Sequence, residues 1–458
     1  MLGNIGLAII FILALTSVAA PLENYHPIFP ASKALQTRNN GLYLKTHKPV
    51  VFASSHAPSK SSPHTVRLKK RMLKRPNTRS AGHHLNKRSQ TSGTGTLKAL
   101  QMGSEYATSM VFGNQTFEVV VDTGSSDTWV PQAGFMCYDE NTYDRVPTSN
   151  CGFGPQLYKP SSTFKKIPGE EFHVIYGDGE SGSGYTGNES VTLAGVTVNQ
   201  KVGIMDKAAW SGENITSGLV GLSYPEITGA TSNVSNEKHI YDPIFTTMYK
   251  QGLVDSYFSL AISRNVSGDG GYLTLGGLPP IDFEESWTST DILITNIEGS
   301  DQGLKFYTIN INDITVDGKI VANSGGKKNQ YIVDSGTTYN RYPNATAKAV
   351  NDAFRPPAVM QDDGTFSVDC GAIAPAHSIT INGTSFGISP LDMIALRGQD
   401  DDGNILCQTQ ITAGGADPHQ QTYILGDTFL KNVVAVFDVG AAEMRFAPNM
   451  DYESNNIL

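Results

Sequence analysis

Two carboxylates with matching surroundings are the strongest candidates for chemistry in this sequence. Asp122 ends the apolar run Val119 to Val121 and is followed by Thr-Gly-Ser, and Asp334 ends the run Tyr331 to Val333 and is followed by Ser-Gly-Thr. Each pattern predicts a buried strand that carries a carboxylate into a sharp turn. The small and hydroxyl-bearing residues that follow allow close backbone approach and hydrogen-bond a carboxylate at short range.

The similarity between the two stretches continues further along the chain. The Gly of Leu219-Val220-Gly221 follows Asp122 by 99 residues, and the Gly of Ile424-Leu425-Gly426 follows Asp334 by 92 residues. This spacing predicts two copies of one structural unit. A pseudo-twofold packing of the copies would place the two carboxyl groups side by side. Because like charges at that range cannot both ionise cheaply, the two acids would share one proton.

With these motifs the chain resembles the pepsin-like aspartic proteases (family A1) of the secreted fungal type, from about Tyr106 to Pro448. A single Asp-Ser/Thr-Gly triplet is common in turns, but two in this context are specific. The matching motifs are DTGSS at Asp122, DSGTT at Asp334, YGDG at Tyr176, GLVGLSYP from Gly218 and YILGDTFLKNVVAVFD from Tyr423.

The resemblance implies an all-β, bilobal double-β-barrel fold with pseudo-twofold lobes and a cleft between them. It also implies an aspartic endopeptidase that hydrolyses peptide bonds at acid pH, with a water activated between catalytic Asp122 and Asp334. The expected supporting residues are the inner hydroxyls that join the two loops, the glycines that offer backbone N–H groups, and the outer hydroxyls that bond the carboxylates. In that order they are Thr123 and Ser335, Gly124 and Gly336, and Ser125 and Thr337.

The glycine-rich stretch that begins at Tyr176 also satisfies a GxGxxG pattern, which occurs in dinucleotide-binding loops. That motif requires a following helix, whereas the β-type run Glu189 to Leu193 follows here. The pattern is therefore better explained as a mobile hairpin with glycines of positive φ at its tip.

By resemblance this hairpin is the flap that closes over substrate and carries Tyr176, Gly177 and Asp178. Trp129 would hydrogen-bond Tyr176, although a plain core aromatic would explain this tryptophan almost as well. Leu219 would line an apolar pocket that favours large hydrophobic side chains, and Asp178 would accept a substrate lysine.

The net charge of −9 conceals a strong partition along the 458 residues. Residues 1–88 carry 14 Lys and Arg against the single acid Glu23, whereas residues 89–458 carry 20 against 42. Residues 1–20 have the apolar run and small residues of a signal peptide, with a retained anchor as the alternative. Residues 21–88 are expected to be a basic propeptide that covers the acidic remainder, and Lys87-Arg88 is the expected processing site before Ser89.

The remainder divides by prediction into an N-terminal lobe, 89–278, with the first aspartate and the flap, and a C-terminal lobe, 279–458, with the second. Asp242 to Gln251 and Ala345 to Phe354 are the best helix candidates. Nearest-neighbour disulfides in each lobe, as the family has, would pair Cys137 with Cys151 and Cys370 with Cys407. Seven Asn-x-Ser/Thr sequons are glycan acceptors: Asn114, Asn188, Asn214, Asn233, Asn265, Asn344 and Asn382.

Two departures from the family pattern concern the surface. The hairpin turn Phe112 to Gln115 replaces a usual Gly-Thr-Pro turn, and the loop between Cys137 and Cys151 is longer than usual, so the rim of the cleft is expected to differ.

The expected partners are protein and peptide substrates and the chain's own propeptide. We expect no cofactor, no metal, no nucleic acid, no membrane association after signal removal, and a monomer. Secretion is the expected location, with a vacuole or the cell wall as alternatives. The main competing function is a catalytically inactive pepsin-like binding protein or inhibitor. Such proteins commonly lose an Asp, a neighbouring Gly or the flap tyrosine, and all three are present here.

Overall fold

The computed structural model describes residues 93–100, 103–264, 268–284, 286–295, 303–327, 329–400, 403–414 and 422–450. The expected signal peptide, the propeptide, the processing site before Ser89 and the sequon at Asn265 lie outside the described residues.

Strands dominate the described residues, as the sequence predicts. In chain order the strands are β1 Gly93–Leu100, β2 Glu105–Phe112, β3 Gln115–Asp122, β4 Thr128–Tyr138, β5 Arg145–Val146, β6 Lys165–Ile175, β7 Ser181–Leu193, β8 Val196–Ala209, β9 Leu219–Gly221, β10 Ala230–Ser232, β11 Tyr257–Ile262, β12 Gly268–Leu275, β13 Thr288–Asp291, β14 Thr308–Asn310, β15 Asp313–Val316, β16 Lys319–Ile320, β17 Gln330–Val333, β18 Asn340–Tyr342, β19 Val359–Met360, β20 Phe366–Val368, β21 His377–Ile381, β22 Thr384–Ile388, β23 Ile394–Gln399, β24 Ile405–Thr409, β25 Ile411–Ala413, β26 Tyr423–Leu425, β27 Val433–Asp438 and β28 Glu443–Pro448. The α-helices are α1 Ile244–Lys250, α2 Asn344–Asp352 and α3 Asp427–Leu430.

One large sheet links the two ends of the described chain. Its strand order is β10-β6-β7-β8-β4-β9-β3-β2-β1-β12-β11-β27-β28-β13. Strand β27, between β11 and β28, is buried along its whole length, because its Val- and Phe-rich sequence packs on both faces. Phe437 of this strand stacks on Phe258 and meets Tyr307 edge to face, at centroid distances of 4.6 and 4.7 Å. These aromatic contacts join strands from distant parts of the chain in one core.

The later part of the chain forms three smaller sheets, ordered β14-β17-β26-β18-β25, β16-β15-β21-β22 and β19-β20-β24-β23. The first of them carries the second aspartate, because β17 ends at Val333, immediately before Asp334.

The duplicated unit that the sequence predicts is visible in the strand pairing. β3 runs parallel to β9, which also pairs antiparallel with β4. In the same way β17 runs parallel to β26, which also pairs antiparallel with β18. Each copy therefore places its aspartate strand beside the strand that contains the Leu-Val-Gly or Ile-Leu-Gly motif. The repeated motifs mark equivalent positions in two equivalent three-strand units.

Both helix predictions are confirmed with small differences at the ends. Pro243 and Pro343 immediately precede α1 and α2, where proline is compatible with a helix start. The two expected disulfides, Cys137–Cys151 and Cys370–Cys407, are both present. Among the described residues, no helix has the length and apolar character needed to cross a bilayer.

Candidate active site

The two aspartates lie together, each at the end of its own strand unit. Asp122 and Asp334 are 5% and 9% exposed, so both carboxyl groups are largely withdrawn from water. The two glycines after them show how closely the loops approach. A Cβ atom on Gly124 would lie 2.5 Å from Oδ1 of Asp334, and one on Gly336 would overlap the Asp122 carboxyl group. Only glycine fits at these two positions.

Each carboxyl group is held by its own loop in the same way. The Gly124 N–H donates to Asp122 Oδ1 at 2.7 Å, and the Gly336 N–H donates to Asp334 Oδ1 at 2.8 Å. The outer hydroxyl of Thr337 donates to Asp334 Oδ2 at 2.7 Å, and that of Ser125 donates to Asp122 Oδ2.

Four hydrogen bonds cross between the two loops through the inner hydroxyls. Thr123 Oγ1 donates to the Val333 carbonyl at 3.1 Å and accepts from the Ser335 N–H at 2.9 Å. Ser335 Oγ donates to the Val121 carbonyl at 2.8 Å and accepts from the Thr123 N–H at 3.2 Å. Thr123 and Ser335 are both buried, so each loop satisfies the buried polar groups of the other.

Burial raises the pKa of Asp122 from 3.8 to about 8, and the negative charge of Asp334 adds to the effect. The hydrogen bonds from Ser125 and Gly124 act in the opposite direction because they stabilise the ionised form. The pair therefore retains one proton at pH values well above the usual pKa of a carboxylic acid.

Comparisons with known proteins show the family to which the chain belongs. The model of the eukaryotic aspartyl protease family matches residues 105–449. This chain belongs to that family. It is also 44% identical over 447 residues, 97% of this chain and 99% of the relative, to a probable aspartic-type endopeptidase of Aspergillus fumigatus.

More distant members of the aspartyl protease family match as well. Rhizopuspepsin of Rhizopus chinensis is 30% identical, with coverage of 78% of this chain and 82% of the relative. The crystal structure of the aspartic proteinase from Irpex lacteus matches with a TM-score of 0.61 at 19% identity, and covers 80% of this chain and all of that one. The prediction of a pepsin-like, all-β bilobal fold is therefore confirmed. At the level of the family, the prediction of an aspartic endopeptidase is confirmed too.

The predicted flap is a β-hairpin formed by β6 and β7. Its tip closes with the Tyr176 N–H donating to the Glu180 carbonyl at 2.8 Å. Gly179 has a φ of 103°, as a tight tip requires, whereas Gly177 does not have a positive φ. Asp178 is exposed at the tip.

Trp129 and Tyr176 meet as the resemblance implies. The buried Trp129 donates through Nε1 to the Tyr176 hydroxyl at 2.8 Å. This bond ties the hairpin to β4, the strand that follows the Asp122 loop. Leu219 is 4% exposed and belongs to the same small apolar cluster as Trp129, so its side chain is almost fully buried.

Sequence reasoning missed two residues at this site. Trp210 packs edge to face against Trp129 and Tyr176, at centroid distances of 5.1 and 5.5 Å. Asp427 is a third buried carboxyl group whose oxygens have no hydrogen-bond partner among the described residues. Burial raises the pKa of Asp427 well above 3.8, the positive charge of Lys431 opposes the rise, and the charge of Asp334 adds to it. The Gly-Asp-Thr motif was the available signal for Asp427; nothing in the spacing indicated Trp210.

The raised pKa of Asp122 predicts a pH-dependent cost to stability. Between its unfolded value of 3.8 and its folded value of about 8, the native state binds more protons than the unfolded state, so stability falls as pH rises through that window. We expect Asp122→Asn to increase the free energy of unfolding at pH 7 by about 1 kcal/mol or more, and the gain to vanish towards pH 4. Urea denaturation across this range measures it.

The matched control is Asp144→Asn, because Asp144 is exposed and its replacement should have no such pH-dependent effect. A difference in unfolding free energy between wild type and Asp122→Asn that stays constant from pH 4 to pH 7 would contradict the expectation.

Proposed function

We propose that this chain is an acid endopeptidase in which Asp122 and Asp334 activate a water molecule between them. The observation that carries the proposal is the close pair of carboxyl groups held by equivalent loops, in which burial and the charge of Asp334 raise the pKa of Asp122, so that the pair retains a proton. Peptide hydrolysis needs a base to activate water and an acid to protonate the carbonyl oxygen or the leaving amine. A pair that shares one proton supplies both.

The chemistry follows from the protonation of the pair. The ionised carboxylate takes a proton from the water as the oxygen attacks the scissile carbonyl carbon, and the protonated carboxyl donates to the carbonyl oxygen. Collapse of the tetrahedral intermediate then transfers a proton to the leaving amine and restores the singly protonated pair. The flap with Tyr176 would close over the substrate, exclude water and orient the scissile bond.

The competing function of an inactive binding protein or inhibitor is disfavoured by the same groups. Both aspartates, both adjacent glycines and the flap tyrosine are present and lie in the arrangement described above. A binding protein would have no need of two buried carboxyl groups whose proximity costs stability.

The proposal extends to synthesis as a secreted zymogen with a signal peptide. Residues 21–88 contain all of the charged side chains of the amino-terminal part, 14 Lys and Arg against Glu23, whereas residues 89–458 are acidic. At neutral pH the two parts attract each other, and protonation of the acidic groups weakens that attraction. N-terminal sequencing of secreted protein should find a mature chain that begins at or near Ser89. A start well inside residues 21–88 would contradict this.

Glycosylation is part of the same proposal. Of the sequons in the described residues, Asn114, Asn214, Asn233 and Asn382 are exposed, and Asn188 and Asn344 are half-buried. The exposed group offers the least hindered acceptors.

The catalytic role of the pair predicts the behaviour of Asp122→Asn. Because an amide can neither take nor give the proton, we expect cleavage of a denatured protein between about pH 3 and pH 5 to fall about 1,000-fold or more. The same assay should show inhibition of the wild type by a transition-state peptide analogue. Asp144→Asn is the control and should retain full activity. Cleavage by Asp122→Asn at the wild-type rate would contradict the proposal.

A preference for certain substrate side chains is proposed from the flap and from the aromatic residues that pack against it. Trp210 and Tyr176, which pack together over the buried Trp129, form an apolar surface at the flap, which suits large hydrophobic side chains around the scissile bond. The flap tip is acidic as well. Burial and the charge of Asp178 raise the pKa of Glu180 well above 4.5, and the charge of Glu140 adds to them. A substrate lysine beside the tip would favour the ionised form of these carboxyl groups and pair with it.

Replacement of Asp178 by Ser should therefore reduce cleavage after lysine about tenfold, the effect of losing one charge-assisted hydrogen bond, and leave cleavage after leucine or phenylalanine unchanged. Matched peptide substrates that differ only at that residue measure the ratio. Asp291→Ser, at an exposed residue of β13, is the control. Equal loss on all substrates would refute the role of Asp178 in specificity.

A further inference from the structure

A segment on the outer side of the flap hairpin, Thr228 to Asp242, is here called the strap. Its strand β10 pairs antiparallel with β6, so that Ala230 lies opposite Phe172 and Ser232 opposite Glu170. The strap folds back on itself, with the His239 N–H donating to the Ala230 carbonyl at 2.9 Å. β6 would otherwise be the edge strand of the large sheet at the base of the flap, and the strap covers that edge.

Gly229 of the strap bridges the flap strand and the first catalytic loop. Its carbonyl accepts from the His173 N–H at 3.0 Å, and its own N–H donates to both carboxylate oxygens of Asp127 at 3.0 Å. A Cβ atom on Gly229 would overlap the His173 carbonyl. The absence of a side chain is what allows the strap to approach both elements at once.

Asp127 is the point at which the strap meets the catalytic loop. It lies five residues after Asp122 and is 2% exposed. Besides the Gly229 N–H, its carboxylate accepts the hydroxyl of Tyr241, at the other end of the strap. Burial raises the pKa of Asp127 to about 6, and the Tyr241 and Gly229 hydrogen bonds oppose the rise.

A second set of contacts fixes the strap to β6. Glu170 of β6 is 5% exposed and accepts from Lys201 at 2.8 and 3.0 Å. It also pairs with His239 of the strap at 2.7 Å. The ammonium group of Lys201 lies 5.0 Å from the centroid of the Tyr241 ring. The strap is therefore bonded to the flap strand through Glu170 and to the catalytic loop through Asp127.

The catalytic loop consequently contacts the flap at two points. Trp129 holds the tyrosine near the flap tip at 2.8 Å, and Asp127, two residues earlier, holds the base of the flap through Gly229 and Tyr241. We propose that Asp127 and Tyr241 are positioning residues that fix the base of the flap relative to the two catalytic aspartates. This inference rests on the proposed function, because it assigns the pair a role in substrate engagement by that same site.

The test is the isosteric variant Tyr241→Phe, which removes one hydroxyl and retains the ring over Lys201. The concentration of active sites is measured by titration with a tight-binding transition-state peptide analogue. The values of kcat and KM are then measured for one peptide substrate at acid pH. We expect KM to rise about tenfold, as for one lost buried hydrogen bond, and kcat to change less. The control is Tyr185→Phe, whose hydroxyl donates to Gln132 at 3.0 Å on the same hairpin but outside the strap.

Rescue by a conservative variant distinguishes positioning from simple stability. Asp127→Asn keeps an oxygen acceptor for Gly229 and should remain within about threefold of wild-type kcat/KM, whereas Asp127→Ala should lose about tenfold or more. If Asp127→Ala does not fold, Tyr241→Phe carries the test alone. Unchanged KM in Tyr241→Phe, or an equal rise in Tyr185→Phe, overturns the inference even where the melting temperature falls. The proposed function would still stand if Asp122→Asn is inactive.

Discussion

The structure depends on the close approach of two buried carboxyl groups that would repel each other if both were ionised. Asp122 and Asp334 are both largely buried, and burial together with the charge of Asp334 raises the pKa of Asp122 to about 8. Such a pair is unstable unless something else holds the loops in place. Thr123 and Ser335 do so, because each hydroxyl bonds the backbone of the opposite loop. The cross-loop bonds are thus the structural condition for the proposed chemistry.

The same constraint explains why the fold repeats. A single strand unit can deliver one buried carboxyl group, but the partner must arrive at the same depth and in the orientation related by a twofold rotation. Two equivalent units, β3-β9-β4 and β17-β26-β18, provide this. The flap then needs only one copy of its anchoring residues. Those residues are Asp127 and Trp129 of the first unit. Asp127 bonds the strap, and Trp129 bonds Tyr176 of the flap.

Much of this arrangement could be predicted from the sequence, because local patterns encode it. The repeated Asp-Ser/Thr-Gly motif, the two proline-started helices and the glycine-rich hairpin tip are all short-range signals. The pairing of the cysteines also followed from the family pattern. The strap could not be predicted in this way. Asp127 belongs to the very stretch that identifies the first aspartate, yet its partner Tyr241 lies 114 residues away, and no spacing rule connects them.

Trp210 and Asp427 were missed for a similar physical reason. An aromatic residue at the end of a strand is ordinary, and only the packing of Trp210 against Trp129 and Tyr176 gives it a place at the site. Asp427 follows a glycine at a helix start, where an acidic residue is usually a favourable partner of the helix dipole. Its complete burial near Lys431, Asp122 and Asp334 depends on tertiary packing.

The most direct test of the central claim is a comparison of Asp122→Asn, Asp334→Asn and the double variant in one peptide-hydrolysis assay at acid pH. If the two carboxyl groups act as one unit with a shared proton, each single variant already removes that unit. The double variant should then be no more than about threefold less active than either single variant. Losses that multiply in the double variant would show that the aspartates act independently, and would contradict the account.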